Sequence, residues 1–279
     1  MLRLAPRRRL ERVVEVRELT GLAEALDERI AQGFLYGDFQ FAIDPATEDF
    51  LHRGVFSCYR PVDDSTPIPE NQKALSRSEW AQLLLLTHTD KARAFELYAA
   101  HYLKTSGQIY LSDAHQYGDY VDGYHAQLDV AMSAEHPATE MITEIYVPRA
   151  RLADFMADVA ADFRDTAVDV IYGTVRLIER DDEAFFTWAR DRWACVIFNI
   201  HTVHTPAGLE HAASAFRRLI DYALARGGSY FLTYHRWATP EQLEAGHPRI
   251  REFFALKRSY DPDDAFQTEW YKHYRDALA

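Results

Sequence analysis

Three apolar stretches of the 279-residue chain carry polar side chains at every second position. In residues 140–147 the alternate set is Ile142, Glu144 and Tyr146, and in 168–178 it is Tyr172, Thr174 and Arg176. In 194–202 it is Cys195, Ile197, Asn199 and His201. An extended strand sends successive side chains to opposite faces, so each stretch predicts an apolar face for helices to cover and a second face bearing functional groups. If these strands share a sheet, Glu144, Tyr146, Arg176, Asn199 and His201 gather on the uncovered face. A carboxylate, a phenol, a guanidinium, an amide and an imidazole can together hold and orient a small polar molecule. The competing expectation is a face that simply meets water, as antiparallel sheets often do. Such a face is ordinarily richer in lysine and glutamate, and the mixture here predicts a closed cavity.

Other groupings carry less. His201 and His204 have His-x-x-His spacing, but the strand ends between them and no third ligand stands at a characteristic distance, so no metal site is expected. Asp181-Asp182-Glu183 follows a strand and predicts a solvated turn. Neither a Gly-x-Ser-x-Gly elbow nor a phosphate-binding P-loop occurs.

The elements that must position these groups follow from periodicity. Strands are predicted at 8–17, 39–43 and 54–59, with a helix over Leu19–Gln32 that ends at Gly33. Residues 60–71 turn to Pro, Asp and Ser and predict a loop or lid. Ser78–Tyr102 predicts a helix interrupted near Thr87–Thr89, followed by a Tyr-rich stretch at 109–129 with no clear period. That stretch suits either a crossover lining a polar cavity or plain packing by amphipathic rings. In the second half, strands at 140–147, 168–178 and 194–202 accompany two helices. One carries Leu152, Phe155, Met156, Val159 and Phe163 on a single face. The other starts at Thr205-Pro206, carries Leu209, Ala213, Phe216, Leu219, Ile220 and Leu224, and stops at Gly227-Gly228. A last strand is predicted over 229–237. The fold class expected is α+β, a large antiparallel sheet with helices covering one face. The order strand–helix–strand–strand occurs twice, which suggests two halves.

Bulk properties narrow the partners. An apolar fraction of 48% supplies a sizeable core, and a net charge of −12 argues against nucleic acid or an anionic membrane. No stretch approaches the ~20 apolar residues of a membrane span. Two cysteines are no disulfide framework, and the N-terminus lacks the apolar region of a secretory signal, so a cytoplasmic location is expected.

The C-terminal fifty residues are the most specific. Gly227-Gly228 opens a stretch reaching Tyr234-His235-Arg236. His247-Pro248-Arg249 then leads into Phe253, Leu256 and Lys257, and Tyr260-Asp261-Pro262 and Phe266 follow. In order and spacing this resembles the closing segment of FAD-linked oxidases of the vanillyl-alcohol-oxidase type, and within them the sugar-alcohol and aldonolactone oxidase branch. The stretch Glu144–Pro148 and the strand holding Arg176 are similar to that group's substrate domain. Where the branch carries a glycine and a lysine after its histidine, this chain has Ala238 and Thr239.

The resemblance implies a substrate-binding (cap) domain over residues 1–228 and a C-terminal segment, 229–279, completing a FAD-binding domain. It implies oxidation of a hydroxyl group of a small polar substrate (a polyol, lactone or hydroxy acid) by hydride transfer to flavin. By the same resemblance His235 is the catalytic base and Arg176 stabilises developing oxyanion charge. Glu144, Tyr146, Asn199, His201 and Tyr234 bind substrate, and His235 and Arg236 contact the cofactor. The family holds the FAD pyrophosphate on a Gly-rich loop of an N-terminal domain, whereas Gly227-Gly228 is the only adjacent glycine pair here. The expectation is therefore a substrate-domain part that shares FAD with a separate or upstream FAD-binding chain and is inactive without it. The abrupt start on a strand agrees with a fragment or split subunit. The alternative is a non-catalytic α+β module that binds a small molecule, and a more distant one is a metal-dependent hydrolase using His201 and His204.

Overall fold

The computed structural model describes residues 6–113 and 123–278. Two compact units emerge, one of Met1–Pro137 with Ile171–Arg176, the other of Ala138–Val170 with Leu177–Ala279. This division follows packing. The boundary expected at residue 228 separates roles around a cofactor, which is a different division. The fold is α+β with antiparallel strand pairs, as the alternation predicted.

The first unit runs β1 (Arg9–Glu18), α1 (Leu22–Ala31), β2 (Tyr36–Phe41), β3 (Arg53–Pro61), α2 (Arg77–Thr89), α3 (Lys91–Lys104), β4 (Ile109–Leu111) and α4 (Tyr124–Met132). The expected break near Thr87–Thr89 falls at Asp90, whose side chain accepts a hydrogen bond from Arg93 N and so caps α3. Ala99 of α3 packs on Val14 and Val55 of the strands, and Leu26 of α1 reaches the opposite side beside Gly37 and Cys58. Gly37 is opposite Cys58 in the ladder, and a Cβ there would stand 2.9 Å from the Cys58 sulfur, so this pair is filled by one side chain only.

Strands follow in the second half as β5 (Ala138–Pro148), β6 (Val170–Ile178), β7 (Trp193–Val203) and β8 (Ser229–Tyr230). Residues 171–176 of β6 belong to the first unit, where the strand order is β4-β1-β3-β2-β6. In the second unit the order is β7-β5-β8. Helices α5 (Leu152–Asp165), α6 (Pro206–Leu224), α7 (Pro240–Gly246), α8 (Ile250–Tyr260) and α9 (Glu269–Ala277) complete it. Strand–helix–strand–strand thus appears twice in chain order, as β1-α1-β2-β3 and β5-α5-β6-β7.

Helix α5 buries the predicted stripe, and its Phe163 meets Phe198 of β7 edge to face at 5.6 Å. Ile145, Val147, Val196, Phe198 and Ile200 are all fully buried on that face of the ladder. At ~1.5–3 kcal/mol for each large apolar side chain removed from water, this face dominates the unit's stability. Helix α6 starts where predicted: Thr205 accepts from Gly208 N, and Pro206 occupies the first turn, whose N–H groups have no helical partner.

Two expectations are corrected. Leu209 is exposed, and the buried stripe of α6 is Ala212, Ala213, Ala215, Phe216, Leu219, Ile220 and Ala223. The strand expected over 229–237 is two residues long, pairing Ser229 and Tyr230 with Tyr146 and Ile145. Beyond Tyr230 the aromatic side chains find partners off the ladder, Phe231 with Tyr234 and His235 with Trp237, and these contacts draw the chain away.

Candidate functional site

The β5–β7 register decides which polar groups meet. Glu140 pairs with His201, Ile142 with Asn199, Glu144 with Ile197 and Tyr146 with Cys195. Directly opposed residues share a face, so all of these sit on the side away from α5. On this face the Tyr146 hydroxyl donates to Glu144 Oε2 at 2.8 Å, and the Cys195 thiol approaches the same oxygen at 3.8 Å. The Tyr234 hydroxyl donates to Glu144 Oε1 at 3.2 Å. Phe231 N donates to the Glu144 carbonyl at 2.9 Å, which hangs the segment carrying Tyr234 on β5. Three of the expected substrate-binding residues, Glu144, Tyr146 and Tyr234, therefore converge on one carboxylate.

Aromatic rings back the Tyr146 side of this cluster. Tyr146 stacks on Trp193 at 5.5 Å and tilts against Trp188 at 5.0 Å. Burial pushes the Tyr146 hydroxyl far above the usual phenol range, with the Cys195 thiol and the Glu144 carboxylate adding to the shift. Tyr146 is consequently a permanent hydrogen-bond donor. A carboxylate offers about four lone-pair positions. Two phenols and a thiol occupy three of them, leaving room for one more donor.

His201 and Asn199 stand further along the same face. His201 Nδ1 lies 3.1 Å from Glu140 Oε1, four positions from Glu144, or roughly 13 Å at the rise of an extended strand. His204 Nε2 lies 3.0 Å from Thr139 Oγ1. The expected gathering is thus split between a Glu144 cluster and a Glu140–His201 pair, with Ile142 and Asn199 between them.

His235 goes elsewhere. Its ring is buried against Phe216 of α6 at 4.5 Å and Trp237 at 5.5 Å. Trp237 N donates to its Nδ1 at 3.3 Å, which puts the ring proton of the neutral imidazole on Nε2, and Nε2 is buried without a partner among the described residues. Burial lowers its pKa to about 4, so the ring is neutral at pH 7. Arg236 is exposed, 3.8 Å from Glu269.

In the first unit, Arg176 follows Thr174 and Val175, which pair with Gln40 and Phe39, so the ladder sets it opposite Asp38. Thr174 donates to Asp38 Oδ2 at 3.2 Å. Burial raises the Asp38 carboxyl against the pull of Arg176. Nearby in the same unit, buried Arg12 donates to the Tyr59 hydroxyl at 2.6 Å and to Thr105 Oγ1 at 2.8 Å. Its guanidinium lies over the rings of Tyr102 and Tyr110, at 4.9 and 4.5 Å. Of the Tyr-rich stretch, Tyr110 lines this polar cluster, and residues 114–122 lie outside the described residues.

Sequence reasoning missed Trp188 and Trp193 as the rings that pack on Tyr146, and Cys195 as a third donor to Glu144. Cys195 was legible from alternation with Tyr146 once the ladder register was known. Trp188 had only the aromatic density of residues 185–188 to signal it.

A flavin can be tested against the described residues at two points. The unpartnered Nε2 of His235 suits an acceptor atom such as a flavin ring system carries. The pyrophosphate end does not fit. Gly227, at φ 75°, follows the end of α6 and donates to Leu224 O. A Cβ on Gly228 would come within 2.0 Å of Tyr146 O, so this residue packs strand against helix. Neither glycine offers the converging N–H groups that a pyrophosphate needs. No helix among the described residues is long and apolar enough to cross a membrane. Compared with known proteins, the sequence matches no family model and no curated protein.

Proposed function

We propose that the chain is the substrate-binding part of a FAD-dependent oxidoreductase acting on a hydroxyl group of a small polar molecule. The observation that carries this reading is the Glu144 carboxylate, held on a sheet face by Tyr146, Cys195 and Tyr234 with one position left for a further donor. A substrate hydroxyl is such a donor, and the carboxylate that accepts its hydrogen bond is placed to take its proton. Trp188 and Trp193 pack on the Tyr146 ring and so fix the phenol that donates to the carboxylate.

FAD supplies the hydride acceptor when bound. Because no cradle for its pyrophosphate occurs among the described residues, the cofactor is held chiefly by residues outside the two units, on an upstream segment or a separate chain. Two exposed aromatics near the C-terminus, Tyr260 at 84% and Phe266 at 83%, support a covering partner there. They flank Asp261, whose carboxylate accepts from Ala265 N and Phe266 N and so fixes the turn that presents them.

Binding can be tested on the chain alone. Saturable quenching of tryptophan fluorescence by a polyol, an aldonolactone or a hydroxy acid is expected, with Glu144→Gln weakening it about tenfold to a hundredfold, the scale of a hydrogen bond to a charged group. Equal affinity in the variant, or no quenching by any of the three classes, would overturn the assignment.

A further inference from the structure

We propose that the 180–190 loop and the start of α8 form a second site, a cleft that binds the carboxylate or phosphate group of a small molecule through Arg190. It does not depend on the flavin reading, and none of the side chains that donate to Glu144 lines it.

The cleft has a volume of about 370 Å³, within the range of small-molecule sites. Three arginines line it, Arg180, Arg190 and Arg249, together with Asp181, Asp182 and His247. Most of these charges are already committed. Arg180 Nε pairs with Asp182 at 2.6 Å. Asp181 accepts from Glu183 N and Ala184 N, at 2.9 and 3.1 Å, and so holds the loop's turn. Arg249 pairs with Glu252 at 3.0 Å, donates to Phe185 O at 2.7 Å and lies over the Phe185 ring at 3.8 Å.

Arg190 is different. Among the described residues, its Nε is buried without a hydrogen-bond partner, its Nη2 reaches only Gly228 O at 3.5 Å, and no carboxylate pairs with it. Its guanidinium lies 5.8 Å from the centre of the Trp193 ring. A partly desolvated cation without a counter-charge is costly, and an anion at the open side of the cleft supplies that charge. A planar guanidinium matches two oxygens of a carboxylate or phosphate at once.

The site is also formed in advance. Asp181 N donates to Ala189 O at 2.9 Å, which closes the loop on itself, and Phe186 stacks on Phe253 of α8 at 4.6 Å. His247 Nε2 is fixed 3.1 Å from Tyr230 O. Phe186 and Pro248 give the cleft an apolar wall beside the cation, so the ligand expected is an organic anion with a compact apolar part.

The test is a thermal-shift titration of the full chain with inorganic phosphate and, separately, succinate, at ionic strength held constant with sodium chloride. Equilibrium dialysis of the same ligands gives affinities. At least one anion is expected to raise the melting temperature saturably. Arg190→Gln should weaken binding about tenfold to a hundredfold, as loss of a charge-assisted bond implies. Arg190→Lys keeps the charge, loses the fork and should lie between, which tests the site even if the glutamine variant folds poorly. Arg192→Gln, whose side chain pairs with Glu179 outside the cleft, should bind like the parent. Saturation by phosphate alone or succinate alone identifies the group the site prefers. Equal affinity in all variants, or no saturable response to either anion, would overturn the proposal.

Discussion

Two buried imidazoles make the second unit sensitive to acid in a defined pH window. His235 is 6% exposed and His247 4%, and burial lowers each from an ordinary 6.5 to about 4, with Arg190 adding to the shift of His247. The unfolded chain takes up a proton on each ring below about pH 6.5, whereas the folded chain resists until about pH 4. The stabilising contribution is therefore complete above the unfolded value and is lost as pH falls through that window. At 1.36 kcal/mol for each tenfold difference in proton affinity, each ring contributes roughly 3 kcal/mol across the interval. Two such terms are a large share of the 5–15 kcal/mol that typically stabilises a domain. The assay is urea denaturation at a series of pH values followed by tryptophan fluorescence. Four of the five tryptophans, Trp188, Trp193, Trp237 and Trp270, lie in the second unit, so the signal reports mainly on it. Replacing either histidine by glutamine should flatten the pH dependence by about 1.4 kcal/mol per pH unit inside the window. The slope is the readout, because the substitution itself shifts the intercept. Parallel profiles for the parent and both variants would refute the reasoning.

Three further outcomes follow from local geometry. Gly228→Ala places a Cβ 2.0 Å from Tyr146 O and 2.9 Å from Ala223 O, so it should lower stability by at least the ~1–3 kcal/mol of ordinary overpacking, read as a fall in melting temperature. Cys58 is fully buried and its thiol is pushed up to about 12, chiefly by burial, so it should escape iodoacetamide in the native protein at mildly alkaline pH. Intact-mass analysis would show rapid labelling if that is wrong. Thr205→Ala removes the oxygen that accepts from Gly208 N at the start of α6 and should cost about 1 kcal/mol in urea titrations.

Period-two alternation was enough to place β5, β6 and β7 and to say which side chains share a face, because strand geometry is local. It could not say how far apart those side chains stand. Glu144 and His201 share a face, yet the register sets them at different points along it, and register depends on pairing between distant segments. The stripe of α5 was legible for the same reason of periodicity, whereas Leu209 was not, since one apolar position at the first turn of α6 can face either way. The stretch after Gly228 misled most. Its aromatic residues have strand propensity, but rings at 231, 234, 235 and 237 pack against one another and against Phe216 instead of a neighbouring strand. Tertiary packing overrode propensity there. Adjacent residues consequently part company, with Tyr234 going to Glu144 and His235 to Phe216. Arg190 was illegible because its significance lies in a missing partner, which only the packed loop reveals.

The central claim, that Glu144 receives the hydroxyl of an oxidisable substrate next to a flavin, is met most directly by anaerobic flavin reduction. The tagged chain would be recovered with its associated proteins, mixed with a polyol, aldonolactone or hydroxy acid that quenches its fluorescence, and followed by the loss of the flavin's visible absorption. Flavin is expected to be recovered with the complex, to be bleached by the substrate, and to be bleached at least tenfold more slowly in Glu144→Gln, from loss of a positioned proton acceptor. A complex without flavin, or a bleaching rate unchanged by Glu144→Gln, would contradict it.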